Sequence, residues 1–533
     1  MVFLQMEMKG KQPWVADLGD GTFQNPILHA DYSDPDVIRV GSDFYMTASS
    51  FCHLPGLPIL HSKDLVNWRL IGHAVQSLES LPGYDRPRHG DGVWAPSIRY
   101  HDGKFWIFFS TPDEGIFMTT AEDPAGPWAP LHCVKEAKGW IDPCPFWDDD
   151  GQAYLVHAFA RSRAGIKHKL QMFRMSPDGR ELLGEGRLVY DGTEKHPTME
   201  GPKLYKRNGY YYIFAPAGGV STGWQTILRS RHIFGPYEDK IVLHQGATDV
   251  NGPHQGGWVE LESGESWFIH FQDKNAYGRI VHLQPVRWVD DWPLMGVNPD
   301  ENGIGEPVLR MRKPDVGGTH PVAVPDTSDD FEADRLGLQW QWQANPKPHW
   351  YSLAARKSHL RLYAASHIDR GEGGVPESDA GATPTLAAVP QLLMQKFPAP
   401  RFVATAKLEF RPDLPGDRCG LVVFGLKYAA LGLVKEESGR VRLACWTGDE
   451  EAETVSWQGE EMSGTVYLRV EVSDGAVCSF SYSADGAQFH PAGEPFTATK
   501  GRWVGAKVGV FAVNLQRSGS GGYVDVDGVE VSG

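Results

Sequence analysis

A strand-like segment rich in aromatic and other apolar residues recurs five times in roughly the first 310 residues. Its markers are Tyr45, Trp106, Tyr154, Tyr211 and Trp267, at spacings of 61, 48, 57 and 56 residues. A strand-rich unit of about 50 residues cannot bury both of its faces alone, and radial stacking of such units gives a β-propeller. The repeat therefore predicts five blades. The alternative is one large irregular β-sandwich, which the even spacing disfavours.

Beyond residue 330 apolar and polar residues alternate one by one, as in VATAKLEF (403–410) and TVYLRVEV (465–472). This alternation is typical of antiparallel strands with one buried face. Between Arg310 and Asp330 three prolines, a Gly pair and small polar residues favour an extended connection. We therefore expect an all-β chain with a five-bladed propeller at 1–315, a linker at 316–330 and a β-sandwich at 331–533.

Composition and charge narrow the classes of partner. Hydrophobic residues make up 41% of the chain and charged residues 22%, as in soluble globular proteins, so the chain can bury a large core. The formal net charge of −16 repels phosphate backbones and anionic headgroups, which argues against nucleic acid and membrane partners. The 18 Trp residues, with 60 Gly and 38 Pro, suit short strands and tight turns that expose aromatic platforms for a sugar.

Cysteine usage and the N-terminal segment bear on redox state and location. The six Cys residues form no CxxC pair, so neither a zinc site nor a dense disulfide framework is indicated, and reduced thiols are expected. Glu7, Lys9 and Lys11 interrupt the N-terminal segment where an apolar leader would continue. We therefore expect a soluble, cytoplasmic protein.

Three acidic residues stand at the edges of predicted strands: Asp34 in YSDPDVIRVG, Asp142 in GWIDPCPFW and Glu200 in TMEGPKLY. The proline after Asp34 and after Asp142 favours an extended conformation for each, which would aim its carboxylate from the strand edge. A single Asp before Pro is most often an ordinary turn former. The set of three on separate blades instead points to one shared site at the propeller axis.

Longer segments around these acids resemble glycoside hydrolase family 43, which contains β-xylosidases and α-L-arabinofuranosidases on a five-bladed propeller. The segments are FQNPILHADYSDPDVIRVGSDFYM (23–46), DGVWAPSIRYHDGKFWIFFST (91–111), IDPCPFWDDDGQAYLV (141–156) and MEGPKLYKRNGYYYIFAPAGG (199–219). The resemblance covers residues 23–300. The part that begins SDDFEADRLGLQWQWQANP (328–346) resembles the concanavalin-like, jelly-roll sandwich of the β-xylosidase branch.

The resemblance implies that Asp34 is the general base, Glu200 the general acid, and Asp142 the residue that orients and tunes the acid. An inverting glycosidase needs a protonated carboxyl at the leaving oxygen and an ionised one across the sugar, about 6.5–9.5 Å away, to activate water. A third, ionised carboxylate would keep the acid protonated by like-charge repulsion. The chemistry is therefore consistent with three acids.

The resemblance also assigns residues around the acids. Arg279 matches a substrate-binding arginine of the family. The alternative is that Arg279 forms a surface salt bridge, which would contribute little to stability. Phe51 and Trp94 match aromatic walls on which a pentose stacks, although an aromatic on a blade is as often core. His254 matches a channel histidine that ligates calcium or ordered water. The chemistry needs no cofactor, and one His is a poor calcium site by itself.

One position departs from the resemblance. In related β-xylosidases the sandwich lends an aromatic side chain to the rim of the active site, from a stretch similar to GAKVGVFAVN (505–514). The matching position here is Lys507. Either another loop closes the pocket, or the leaving-group site is more open and polar.

The resemblance implies an exo-acting, inverting glycosidase that removes terminal β-D-xylosyl, and also α-L-arabinofuranosyl, residues from short xylan fragments. The lack of a leader favours intracellular processing of imported oligosaccharides and hence β-xylosidase activity. Three alternatives stay open: arabinofuranosidase as the main activity, a non-catalytic carbohydrate-binding protein, and a retaining fructan or sucrose hydrolase in which the first Asp is a nucleophile. The expected partner is a small oligosaccharide, and a homo-oligomer is left open.

Overall fold

The computed structural model describes residues 12–364, 384–516 and 519–533. These residues form a five-bladed β-propeller followed by a β-sandwich, as the sequence pattern predicts. Glu7, Lys9 and Lys11, on which the expected absence of a leader rests, lie outside the described residues. None of the helices in the described ranges is long and apolar enough to cross a membrane.

Each blade in the described part of the propeller is an antiparallel sheet of four strands that pair in chain order. The five aromatic segments of the sequence are the second strands of the blades, and they are mostly buried because a neighbouring blade packs on each face. The strands are β1 (Thr22–Gln24); β2 (Asp36–Val40), β3 (Asp43–Thr47), β4 (Gly56–Ser62) and β5 (Trp68–Val75) in blade 1; β6 (Ser97–His101), β7 (Lys104–Thr111), β8 (Gly115–Ala121) and β9 (His132–Glu136) in blade 2; β10 (Trp140–Trp147), β11 (Ala153–Phe159), β12 (Lys169–Met175) and β13 (Leu182–Asp191) in blade 3; β14 (Lys203–Arg207), β15 (Tyr210–Ala217), β16 (Trp224–Ser230) and β17 (Glu238–Leu243) in blade 4; β18 (His254–Glu260), β19 (Ser266–Asp273), β20 (Arg279–Val289) and β21 (Trp292–Met295) in blade 5; and β22 (Arg310–Arg312).

The first strands of the blades surround the axis: β18, β2, β6, β10 and β14 contact one another in that order. Apolar packing closes the ring, because Phe44 and Trp68 of blade 1 share a buried cluster with Trp267 and Ile269 of blade 5. Burying side chains of this size contributes about 1.5–3 kcal/mol each. The antiparallel pair of β1 and β22 then ties the two ends of the propeller together. Residues at the start of a first strand consequently face a common centre.

The sandwich consists of two antiparallel sheets in the described residues. Their strands are β23 (Tyr351–Ser352), β24 (Leu360–Tyr363), β25 (Leu393–Lys396), β26 (Phe402–Arg411), β27 (Asp417–Phe424), β28 (Tyr428–Lys435), β29 (Val441–Gly448), β30 (Glu453–Glu461), β31 (Thr465–Ser473), β32 (Val477–Ser483), β33 (His490–Pro491), β34 (Phe496–Thr497), β35 (Lys507–Asn514) and β36 (Tyr523–Ser532). One sheet follows the order β23-β24-β36-β26-β31-β32-β33 with β34 paired to β32, and the other follows β25-β35-β27-β28-β29-β30. Short helices occupy Arg161–Ala164 (α1) and, in 3-10 form, Asn275–Tyr277, Pro348–Trp350 and Leu386–Ala388.

The sandwich is packed directly on the propeller. Residues 313–328 between them contain no helix or strand. Tyr277 of the propeller belongs to the sandwich core, and its hydroxyl donates to the carbonyl of Pro400 (2.9 Å) and accepts from the amide of Ala476 (2.9 Å). Leu54 of the propeller forms a β-bridge with Trp342 of the sandwich. Loops of the sandwich are thereby held against blades 1 and 5.

Candidate active site

The structure brings the three predicted carboxyl groups to one pocket of about 470 Å³. Asp34 precedes β2 of blade 1, Asp142 lies within β10 of blade 3, and Glu200 precedes β14 of blade 4. Arg279, the first residue of β20 in blade 5, lines the same pocket. Each of these positions is at or near the entry of a strand, and four of the five blades contribute one.

The backbone at the two Asp-Pro sites is not extended, so that expectation was wrong. Asp34 has φ 53° and Asp142 has φ 56°, in the left-handed region. Aspartate tolerates this region better than most residues, and β10 carries a bulge between Ile141 and Cys144 that accommodates Asp142. Conformations of this kind cost about 1–3 kcal/mol each and are held by surrounding structure. Here they turn the carboxylates out of the strand direction and into the pocket.

Asp34 is a buried carboxylate with a full set of donors. The hydroxyls of Ser33 and Ser49 donate to its Oδ2 at 2.6 and 2.7 Å. Arg279 Nη1 lies 3.0 Å from Oδ1 and 3.1 Å from Oδ2 and also donates to Ser33 Oγ at 2.8 Å. Since Arg279 is itself buried, the alternative of a surface salt bridge is excluded. Charge-assisted hydrogen bonds are shorter and stronger than neutral ones, so these contacts hold the Asp34 carboxyl group in place.

Asp142 is the most strongly perturbed acid of the set. Burial, together with the charges of Glu200 and Asp34, raises the pKa of Asp142 to about 8, although the hydrogen bond from the amide of Gly201 (2.8 Å) and the charge of Lys203 oppose the rise. The sequence argument expected an ionised Asp142 that keeps Glu200 protonated. In the structure it is the pKa of Asp142 that is raised. Asp142 is therefore the residue that holds a proton near neutral pH.

Glu200 is more open than its neighbours. About 27% of its side chain is exposed, compared with 8% for Asp34. Its Oε1 lies 2.9 Å from Nε2 of the buried His254, which fixes the direction of the carboxyl group. Glu200 is therefore the acid of the set that a bound ligand can reach most directly.

The surroundings of His254 do not fit a calcium ion. Its Nε2 contacts Glu200, and its Nδ1 has no hydrogen-bond partner among the described residues. The described parts of the chain contain no group of three His, Cys, Asp or Glu side chains placed to hold a metal. Calcium prefers six to eight oxygen ligands, which these residues do not supply.

Aromatic rings form one side of the pocket. Phe51 and Trp94 line it, with ring centroids 6.2 Å apart and planes at 62°. Trp503, which the sequence argument did not single out, lines it from the sandwich, with its centroid 6.4 Å from that of Trp94. The match to Lys507 as the position that the sandwich lends to the rim was wrong: Lys507 is buried between the domains and does not line this pocket. The loop before β35 lines the pocket instead, through the exposed side chain of Trp503.

Asp31 is a second residue that the sequence argument missed. Its Oδ1 accepts the backbone N–H of Arg279 at 2.8 Å, and its Oδ2 accepts the backbone N–H of Gly505 at 3.0 Å. One buried carboxylate thus joins the site arginine to the sandwich loop that carries Trp503. The sequence signal was an acidic residue within an otherwise apolar and small stretch close to Asp34, which is weak evidence on its own.

Three clustered carboxyl groups, a buried arginine and aromatic walls at the axis of a propeller define a glycoside hydrolase. Comparisons with known proteins agree. Residues 23–293 match the model of glycosyl hydrolases family 43, and residues 328–532 match the β-xylosidase C-terminal concanavalin A-like domain. The chain therefore belongs to glycosyl hydrolase family 43.

Relatives align over most of the chain. A putative β-xylosidase of Xylanibacter ruminicola is 43% identical, with 96% of this chain and 90% of the relative covered. A non-reducing end α-L-arabinofuranosidase of Bacteroides ovatus is 30% identical over 77% of this chain and 75% of its own length. The crystal structure of xylan β-1,4-xylosidase from Bacillus halodurans superposes with a TM-score of 0.83, at 25% identity, over 96% of this chain and all of that one.

Proposed function

We propose that this chain is an exo-acting, inverting glycosidase that releases terminal xylose from xylo-oligosaccharides and also accepts terminal arabinofuranose. The observation that carries the proposal is the convergence of Asp34, Asp142 and Glu200 on one pocket beside Arg279. Phe51 and Trp94 wall the pocket, and aromatic rings of this kind suit stacking against a sugar ring. The relatives named β-xylosidase support xylose as the released sugar.

In this proposal Asp34 acts as the general base. Ser33, Ser49 and Arg279 hold its carboxylate, and it takes a proton from a water molecule while that water's oxygen attacks the anomeric carbon. The bond from the anomeric carbon to the leaving oxygen breaks on the opposite face of the sugar. The configuration at that carbon is therefore inverted.

Glu200 acts as the general acid and gives its proton to the leaving oxygen. Its greater exposure and its contact with His254 suit a group that must meet the glycosidic oxygen in a fixed direction. Asp142 holds a proton beside it, because burial and the neighbouring carboxylates raise the pKa of Asp142. Two acids that repel each other keep one proton between them near neutral pH, and in this proposal that proton moves from Asp142 to Glu200 before Glu200 gives it to the leaving oxygen.

Proton NMR of xylobiose hydrolysis tests the proposal. Release of α-xylose as the first-formed sugar is the expected result, with the activities of Asp34→Ala and Glu200→Ala reduced by about 10²–10⁴-fold or more. Glu200→Ala is expected to regain activity on an aryl xyloside with a good leaving group, because that bond needs little acid assistance, whereas Asp34→Ala is not. Glu79→Gln, a change at an exposed carboxyl, serves as the control.

Three outcomes would contradict the proposal in whole or in part. β-Xylose as the first-formed product would show retention, and Asp34 would then be a nucleophile. No hydrolysis of either xylobiose or an arabinofuranoside would favour a carbohydrate-binding protein. A kcat/KM larger on the aryl arabinofuranoside than on the aryl xyloside would make arabinofuranosidase the main activity, in line with the name of the Bacteroides ovatus relative.

A further inference from the structure

A second, smaller cavity lies at the junction of the two domains. The propeller contributes His53, His89 and Gly90, and the sandwich contributes Lys507, the segment 501–505 except Trp503, and residues of three further segments. None of the three carboxyl groups of the active site lines this cavity. It is therefore a separate space.

Lys507 is the central feature of the cavity. Its side chain is 2% exposed, and its Nζ makes no hydrogen bond or ion pair with any residue that the structure describes. Its neighbour across the β25–β35 ladder is Lys396, which is half-buried and whose Nζ donates to Gln341 Oε1 at 3.2 Å. Two lysines therefore lie side by side at the domain junction.

The carboxylate near these lysines is already engaged. The negative charge of Asp31 favours a higher pKa for both Lys396 and Lys507. Its two oxygens, however, already accept the backbone N–H groups of Arg279 and Gly505. Burial, followed by the charge of Lys396, lowers the pKa of Lys507 to about 7. A buried ammonium group without a partner is costly, and a bound anion would relieve that cost.

Besides Lys507, the titratable side chains that line the cavity are those of His53, His89, Arg502 and Glu450. His53 is buried, and its Nδ1 has no partner among the described residues. Burial and the charge of Lys507 lower the pKa of His53, so its ring is neutral and can donate one N–H. Arg502 stands at the exposed rim, and Glu450, also exposed, is the sole carboxylate among the described lining residues.

We propose that this cavity binds a small inorganic oxyanion such as phosphate, held by Lys507 and His53 with Arg502 at the mouth. A lysine ammonium is a compact charge that binds phosphate well, and hydrogen bonds to an anion are stronger than neutral ones. The segment 501–505 lines this cavity and carries Trp503 into the active-site pocket. The anion would therefore hold the loop that forms one wall of that pocket. The proposal does not depend on the proposed hydrolytic function.

Calorimetric titration of the full chain with inorganic phosphate at low ionic strength tests this site. The wild type is expected to bind one phosphate per chain. Lys507→Met, which keeps the side-chain length and removes the amine, should bind it roughly 10- to 100-fold more weakly, the range expected for one charge-assisted hydrogen bond. His53→Gln should weaken binding by a smaller factor. Lys427→Met, which removes an exposed lysine of the same domain, should not change it.

Circular dichroism and thermal unfolding establish that each variant is folded before the titrations are compared. No binding of phosphate by the wild type would overturn the proposal, as would equal binding by the wild type and folded Lys507→Met. Binding of glucuronate but not of phosphate or sulfate would overturn the assignment to an inorganic oxyanion and indicate the carboxylate of an acidic sugar.

Discussion

Replacing Asp142 by Asn should make the stability of the protein less sensitive to pH. The pKa of Asp142 rises from its ordinary value of 3.8 to about 8, chiefly by burial and then by the charges of Glu200 and Asp34. The unfolded chain ionises this group near pH 4, whereas the folded protein retains the proton until about pH 8. The stability that comes from the protonated form is thus fully present below about pH 4 and is lost as the pH rises to about 8.

The size of the effect follows from the same values. At about 1.4 kcal/mol for each unit of pKa, a rise of about four corresponds to on the order of 5 kcal/mol of unfolding free energy. The amide of Asn cannot ionise, yet its oxygen can still accept the N–H of Gly201 that Asp142 accepts now. Asp142→Asn should therefore keep the local structure and avoid the loss of unfolding free energy at high pH.

Thermal unfolding from about pH 5 to about pH 9 measures this difference, with Glu79→Gln as a control for loss of an exposed carboxyl. Titrating groups that do not interact with Asp142 are common to the proteins and cancel in the comparison. The Tm of Asp142→Asn relative to the wild type is expected to rise steadily with pH, while that of Glu79→Gln stays level. Parallel curves for the wild type and Asp142→Asn would refute the reasoning, because Asp142 would then ionise at an ordinary pH.

Three further substitutions test contacts of the site. Arg279→Met leaves buried Asp34 without its cation, and denaturant titration should show a loss of about 3–5 kcal/mol, partly recovered in Arg279→Lys. Trp503→Ala should raise KM for xylobiose roughly 2- to 10-fold with little change in kcat, because it removes a wall of the pocket and no reacting group. A fall in kcat alone would contradict this prediction. Asp31→Asn offers one acceptor oxygen to the two N–H groups that Asp31 now accepts. Thermal unfolding should therefore show a loss of about 1–3 kcal/mol of unfolding free energy, and kinetics should show a higher KM. Unchanged values would mean that Asp31 does not position the loop.

The blades were predictable because their second strands have an unusual composition. A strand covered on both faces must be apolar along its whole length, so segments such as KFWIFFST (104–111) recur at the spacing of the blades. The two Asp-Pro sites and Glu200 could likewise be predicted as site residues, because proline and glycine mark the strand entries that line the axis. The left-handed backbone of Asp34 and Asp142 was not visible, because it depends on a bulge and on neighbouring blades.

The missed residues share a different property. Asp31 and Gly505 are 474 positions apart in the chain and meet only because the sandwich packs on the propeller. Trp503 reaches the pocket for the same reason, whereas Lys507, four residues later on a buried strand, faces the domain junction. Strand alternation predicts which face a residue occupies, but the docking of one domain on another decides what that face meets.

The position of Trp503 in the chain has a consequence for biosynthesis. All three carboxyl groups lie within the first 200 residues, whereas the sandwich wall of their pocket leaves the ribosome only after residue 503. A nascent chain whose propeller has already folded still lacks this wall and the Gly505 amide that engages Asp31. Products of premature termination would thus keep the three carboxyl groups while lacking one wall of their pocket. The pocket is completed late in translation, well after its carboxyl groups have been encoded.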